Sequence, residues 1–146
     1  MDLVIRRAGE ADRATAQRLL SEQLVEHRLP ALGVDRGLDR ALAPGSPAWL
    51  WLAEREARPV AILLANPIVS VEKGGLVLWI EELYVVPQAR RGGIARALFA
   101  QVREEARRIG VRAIELEVVP TQAAALALYA SLGFEEVRRQ RLSLSL

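Results

Sequence analysis

Two adjacent acidic residues, Glu81 and Glu82, interrupt an apolar stretch at residues 76–86 that otherwise has the composition of a buried β-strand. An ionised carboxylate is costly to bury without a partner, so such a strand must border a wet site or hold its acids in ion pairs. Residues 88–95 then form a basic turn with two glycines, and apolar side chains follow at helical spacing as far as Ile109. This strand, turn and helix constrain the fold more than any other part of the chain.

The whole sequence predicts one mixed α/β domain over residues 1–146, with the element order β-α-α-β-β-β-α-β-α-β-β. We expect strands at 3–7, 49–54, 59–71, 76–86 and 113–119, helices at 10–26, 35–43, 94–109 and 121–132, and a closing hairpin at 134–137 and 141–146. The crossover between 76 and 119 should pair its two strands in parallel. Ligands in such sheets bind at the carboxyl ends of the strands where the layout switches, which places the turn at 88–95 in the expected site.

Composition excludes several classes of site. The chain has no cysteine and a single histidine, His27, so we expect no metal, no thiolate site and no cysteinyl acyl-enzyme. The net charge is only +2 and the arginines are scattered, so no nucleic-acid partner is expected. No window approaches the roughly 18 apolar residues of a membrane span, and the first residues lack the layout of a signal peptide, which favours a cytoplasmic protein with no membrane partner.

The turn at 88–95 has the properties of an anion site. Gly92 and Gly93 let a ligand approach the start of a helix, where backbone N–H groups have no internal partner, and Arg90, Arg91 and Arg96 add positive potential. These residues alone support a phosphate cradle and a plain glycine connection with solvated arginines equally. Neither a P-loop nor a dinucleotide-binding turn fits, because the lysine and hydroxyl of the first and the glycine spacing of the second are absent.

The string Arg90-Arg-Gly-Gly-Ile-Ala95 matches every defined position of Arg/Gln-x-x-Gly-x-Gly/Ala, the signature of the GCN5-related N-acetyltransferase (GNAT) superfamily. Residues 83–87 and 128–134 resemble the two other recurring strings of that family, in the right order and at suitable spacing. The resemblance covers nearly the whole chain. It implies a mixed sheet splayed between its fourth and fifth strands, acetyl-CoA as co-substrate with its pantetheine in the gap, and a homodimer.

The same resemblance implies a cofactor-binding set. Backbone groups of Leu83, Tyr84 and Val85 should bind the pantetheine and the acetyl carbonyl. The turn contributes Arg90, Arg91, Gly92, Gly93, Ile94, Ala95 and Arg96, with the pyrophosphate on the N–H groups from Arg91 onward. Arg91 stands where the family more often has glycine, and Gln122 stands where it often has an asparagine that contacts the cofactor.

Three residues are candidates for the chemistry. A carboxylate beside the reactive end of the cofactor can remove the proton from an attacking amine. Neighbouring strand residues point to opposite faces, so we expect only one of Glu81 and Glu82 to face the acceptor, and the resemblance favours Glu81, with Glu82 second. The alternative for both is an ion pair with an arginine of a neighbouring strand. By resemblance Tyr129 protonates the departing thiolate of CoA, and its alternative is a core tyrosine.

These features together predict an acetyl-CoA-dependent N-acetyltransferase that acts on a primary amine by direct attack in a ternary complex. The two acids favour a small cationic amine over a protein lysine or N-terminus. A non-catalytic acyl-CoA-binding module on the same fold is the remaining alternative.

Overall fold

In the computed structural model, which describes residues 2–146, the chain folds around one five-stranded mixed sheet with the spatial order β1-β2-β3-β4-β5. The strands are β1 (Leu3–Arg7), β2 (Trp49–Arg55), β3 (Arg58–Ser70), β4 (Gly75–Val85) and β5 (Ala113–Leu116). The helices are α1 (Arg13–Glu26), α2 (Val34–Ala41), α3 (Ile94–Arg108) and α4 (Ala123–Ser131). Strands β1 to β4 pair antiparallel, whereas β5 pairs parallel to β4, so the predicted crossover through α3 is confirmed.

The two faces of the sheet carry different helices. Trp49 and Trp51 lie on the α3 face, where the Arg7 guanidinium sits 5.1 Å and 5.6 Å from their ring centroids. Leu50 and Leu52 alternate with them and are buried on the face that α1 and α2 cover. The apolar stripe of α1 that the spacing predicts is also buried in this layer.

The sheet is splayed between β4 and β5. Their parallel register runs from Val77 opposite Ala113 to Ile80 opposite Leu116, where β5 ends. Strand β4 continues to Val85, and along this stretch it is paired with β3 on its other side. The gap that the family resemblance implies therefore opens beyond Ile80.

Two hairpin turns hold residues with positive φ. Gly74 has a φ of 78° in the turn between β3 and β4, as its paired glycines predict. The turn between β2 and β3 is unusual, because Glu56 and Ala57 have φ angles of 50° and 61° without being glycine. A two-residue hairpin turn of this kind normally selects Asn-Gly, so these residues occupy a strained conformation.

The predicted closing hairpin at 134–137 and 141–146 is wrong, because the chain after Leu132 has no regular secondary structure. The alternating Leu142 and Leu144 predict a strand, but both residues are largely exposed, at 88% and 86%. This segment contacts the rest of the protein through separate ion pairs rather than through strand pairing: Arg139 pairs with Glu72 at 3.0 Å, and Arg141 pairs with Glu117. Alternation without a surface to bury it does not make a strand.

Other predicted boundaries shift slightly. Strand β5 ends at Leu116 rather than at 119, since its pairing with β4 stops at Ile80 opposite Leu116. Helix α2 spans Val34–Ala41 instead of 35–43. Thr121 does not cap α4, since Gln122 is the N-cap residue and no side chain caps the helix.

Candidate active site

The turn between β4 and α3 presents a row of free backbone donors. The N–H groups from Arg91 to Arg96 have no hydrogen-bond acceptor among residues 2–146, and the first bond of the helix is from Ala97 N to Gly93 O at 2.9 Å. Arg91 and Gly93 have φ angles of 61° and 75°, and left-handed residues in such a turn aim successive N–H groups into one concavity. Together with the positive end of α3, this row forms a cradle for a phosphate-like anion.

Arg90 of the signature and Arg96, which follows it, hold neighbouring elements together through their side chains. Arg90 Nε donates to Val85 O at 2.9 Å, and its Nη2 donates to Glu26 of α1 at 2.7 Å. Arg96 Nη2 donates to Ser131 Oγ of α4 at 2.7 Å. These two side chains therefore brace the turn and the start of α3 against α1 and α4. The backbone N–H of Arg90 donates to Pro87 O at 3.3 Å, whereas that of Arg96 belongs to the row of free donors.

Arg55 is a cation at the cradle that the sequence did not single out. It ends β2, and antiparallel pairing through β3 brings this end beside the turn after β4. A Cβ on Gly92 would lie 3.4 Å from one terminal nitrogen of Arg55, so the guanidinium packs directly against the turn. The Arg55 Nε is buried and has no partner among the described residues. The only sequence signal is its place at the end of a hairpin, which says nothing about a distant turn.

A β-bulge places both glutamates of β4 at one cavity. Leu64 of β3 is opposite Glu82, while the next residue, Ala65, is opposite Ile80, so Glu81 is the extra residue of the bulge. Both residues line a cavity of about 230 Å³ between α1, α2 and the sheet. The bulge breaks the strict alternation of side chains and brings both residues to this cavity, whereas the expectation that only one of them faces the acceptor stays a prediction.

The two carboxylates have different surroundings. Burial, followed by repulsion from the charge of Glu81, raises the pKa of Glu82 from an ordinary 4.5 to about 7. Glu81 is exposed and accepts a hydrogen bond from the Trp79 indole N–H at 3.2 Å. Neither carboxylate forms an ion pair with any residue in 2–146, which removes the alternative that they exist to balance arginines of the sheet.

The end of β4 turns backbone groups toward the gap. Val86 N donates to Val60 O at 2.9 Å, and bonded pairs alternate with non-bonded pairs along an antiparallel ladder. By that alternation Tyr84 directs its backbone groups at β3, whereas Leu83 and Val85 direct theirs away from it. Of the three backbones expected at the pantetheine, the geometry therefore turns the N–H groups of Leu83 and Val85 to the open side, whereas their carbonyl oxygens already accept hydrogen bonds from side chains of α1 and of the turn.

A buried glutamine of α1 reaches the same strand. Gln23 is 5% exposed and donates from Nε2 to Leu83 O at 3.3 Å, while its Oε1 is buried with no partner in the described part of the chain. The sequence signal for this residue was available, because Gln23 stands within the apolar stripe of α1, four residues after Leu19. A polar residue in such a stripe marks a position that needs a partner.

The model of the acetyltransferase (GNAT) family matches residues 15–134. The chain belongs to this family. The match contains the strand, turn and helix that form the cradle and the gap. The GNAT resemblance of the signature residues is thereby confirmed.

Relatives of known name also resemble this GNAT chain. Human N-acetyltransferase 8 is 35% identical over 86 residues, which cover 59% of the chain and 38% of that protein. The [ribosomal protein bS18]-alanine N-acetyltransferase of Escherichia coli (strain K12) is 44% identical over 57 residues, which cover 39% of the chain and 38% of that protein. The chain thus matches well under half the length of these relatives. Among solved structures, the aminoglycoside N-acetyltransferase AAC(6')-Iy in complex with CoA has a TM-score of 0.83 at 19% identity, over 99% of the chain and 95% of that structure, which shows the shared fold.

Tyr129 of this GNAT chain lies on α4 in an aromatic cluster. Its ring meets Phe134 edge-on at a centroid distance of 5.4 Å, and Phe134 packs at 5.3 Å from Phe99 of α3. Burial raises the pKa of Tyr129 to about 12, so its hydroxyl holds its proton at neutral pH. The hydroxyl has no hydrogen-bond partner within residues 2–146 and is available as a donor.

Gln122 connects the two sides of the site. Its Nε2 lies 3.1 Å from His27 Nε2, which joins the start of α4 to the end of α1. The Gln122 amide expected at the cofactor is therefore engaged with His27 in this structure.

The described residues contain no group of three or more acidic or histidine side chains that could hold a metal ion. No helix within 2–146 combines the length and the apolar character that a membrane crossing requires.

Proposed function

We propose that this chain is an acetyl-CoA-dependent N-acetyltransferase that acetylates the primary amine of a small cationic metabolite by direct attack in a ternary complex. The observation that carries the proposal is the sequence of features along β4: two unpaired carboxylates at a cavity, then backbone groups facing a gap, then the anion cradle. A cationic acceptor and a diphosphate-bearing donor would thus meet at one strand.

The residues present fit acetyl-CoA. The free N–H groups from Arg91 to Arg96 suit a diphosphate, and Arg55 adds a cation beside Gly92. When bound, acetyl-CoA would supply an acetyl group activated as a thioester. The protein therefore has to bind and orient the two substrates and to move protons.

We assign the base to Glu82 rather than to Glu81. An ammonium group must lose a proton before it can attack, and a carboxylate with a pKa of about 7 accepts that proton near neutral pH better than an ordinary one. Glu81 is exposed and would instead help to attract the cation.

The remaining roles follow from donors with fixed protons. The N–H groups of Leu83 and Val85 point to the open side of β4, where they would stabilise negative charge on the acetyl oxygen. The Tyr129 hydroxyl, protonated at neutral pH, would give its proton to the departing thiolate. The cytoplasmic location and the homodimer that the sequence and the resemblance imply remain predictions.

The test is release of free thiol from acetyl-CoA in the presence of single amines, with calorimetric titration of acetyl-CoA alone. We expect binding at or below tens of micromolar and thiol release with small cationic amines. If a peptide with an N-terminal alanine supports thiol release and none of the small amines does, the acceptor class would change to protein N-termini. That is the class in the name of the Escherichia coli relative. Binding without release for any amine or peptide would indicate a non-catalytic acyl-CoA-binding module, and no binding would refute the proposal.

A further inference from the structure

The cavity beside Glu81 and Glu82 has charge at one place only. The rest of its wall is aliphatic, formed by Leu20, Leu24, Pro30, Val34, Leu38 and Leu64, or is bare backbone at Gly33 and Gly37. Its volume of about 230 Å³ is below the roughly 300–1,000 Å³ of pockets for drug-sized ligands. The cavity is therefore small and apolar away from the two acids.

We propose that this cavity takes a primary amine with a single positive charge on a compact apolar body, and that Gly37 sets the size of the body it admits. The inference rests on the proposed N-acetyltransferase function and narrows its acceptor class.

The charge distribution excludes a second ammonium group inside the cavity. A second cation would lie against aliphatic side chains without a counter-ion, which is costly. The nearest further acids on α1, Glu22 and Glu26, line a separate open groove beside Tyr84, and Glu26 is already paired with Arg90. Hydroxyl groups would likewise lose water against these walls without gaining side-chain partners.

Gly37 has no structural reason to be glycine. It lies inside α2, where glycine destabilises a helix relative to alanine, and apart from the adjoining residues and backbone of the helix itself no atom lies within 4 Å of the position that a Cβ would take. Gly33 differs, because it is the N-cap residue of α2, a position where glycine is well tolerated. The fold would therefore accept a side chain at Gly37. Because Gly37 lines the cavity, that side chain would reduce the volume of the cavity.

The experiment compares amines in the thiol-release assay. Pentylamine and cadaverine share a carbon chain but differ by one ammonium group, and glucosamine adds hydroxyl groups. We expect kcat/KM for pentylamine to exceed that for cadaverine and glucosamine by about tenfold or more. Phenethylamine and ethylamine then measure how large an apolar body the cavity admits. They are compared in the parent, in Gly37→Ala and in Gly37→Leu. Arg36→Leu is the control, because Arg36 lies on the same helix but does not line the cavity.

The size readout is the ratio of kcat/KM for phenethylamine to that for ethylamine. Gly37→Leu should lower this ratio by about tenfold and Gly37→Ala by less, whereas Arg36→Leu should leave it within about twofold. Gly37→Ala should melt no lower than the parent, so it gives a result even if the leucine variant does not fold. Preference for cadaverine or glucosamine, or a ratio that neither Gly37 variant changes, would overturn this inference while the N-acetyltransferase proposal stands. If acetyl-CoA binds but none of the amines supports thiol release, both this inference and the N-acetyltransferase proposal would be overturned.

Discussion

Replacing Glu82 by glutamine should stabilise the protein above neutral pH and at the same time remove most of its activity. Glutamine keeps the size of the side chain and removes the charge. The carboxylate of Glu82 has no ion-pair partner among the described residues and lies half-buried beside Glu81, so its ionised form is unfavourable in the folded protein.

The magnitude follows from the pKa. Burial, with a smaller contribution from Glu81, raises the pKa of Glu82 from 4.5 to about 7, so the folded protein binds this proton more tightly than the unfolded chain does. The free energy of unfolding therefore falls as pH rises from about 4.5 through 7. The full shift in the pKa of Glu82 corresponds to a loss of about 3 kcal/mol in the free energy of unfolding. Solvent screening of this partly exposed carboxylate reduces the expected loss to about 1–2 kcal/mol.

The assay is urea unfolding at about pH 5 and about pH 8.5, followed by tryptophan fluorescence. Glu82→Gln should match the parent near pH 5 within about 0.5 kcal/mol and exceed it by about 1–2 kcal/mol near pH 8.5. Glu81→Gln is the control, because Glu81 is exposed and its loss removes only the smaller, repulsive contribution to the pKa of Glu82.

Activity should show the opposite change. In the parent, kcat/KM should rise through a pH of about 7 as Glu82 ionises. Glu82→Gln should not show this rise, and its kcat/KM should be lower than that of the parent by a factor of about 10²–10⁴. If Glu82→Gln is less stable than the parent near pH 8.5, or if Glu81→Gln loses the pH-dependent rise while Glu82→Gln keeps it, the reasoning is refuted.

Three further outcomes are expected. Arg55→Met should weaken acetyl-CoA binding about tenfold in calorimetry, whereas Arg58→Met, across the same hairpin, should leave it unchanged; equal effects would remove Arg55 from the cradle. Replacing Glu56-Ala57 by Asn-Gly should raise the free energy of unfolding by about 1–2 kcal/mol, and a loss of stability would show that the turn is not strained. Tyr129→Phe should lower kcat with little change in the KM for acetyl-CoA, and unchanged turnover would assign the tyrosine to packing alone.

Local patterns in the sequence account for most of the fold. Apolar spacing predicts α1 and α3, the glycines predict the turn at Gly74, and the signature predicts the N–H row that begins α3. These features depend on neighbouring residues, so composition and periodicity suffice. The splay of the sheet beyond Ile80 was predicted from the family resemblance and not from the periodicity of the sequence.

Features that depend on pairing between strands were not readable. The bulge at Glu81 is defined by the pairing of β4 with Leu64 and Ala65 of β3, and no pattern within β4 alone reveals it. Arg55 reaches the cradle only through two successive pairings. The predicted C-terminal hairpin fails for the related reason that alternation at Leu142 and Leu144 predicts a strand only where a surface exists to cover it.

A crystal structure with CoA bound would show directly whether β4 and the turn after it form the cofactor site. We expect the diphosphate on the N–H groups from Arg91 to Arg96, the pantetheine in the gap beyond Ile80, and the thiol between Glu82 and Tyr129. A diphosphate bound elsewhere, or a thiol remote from Glu82, would contradict this expectation.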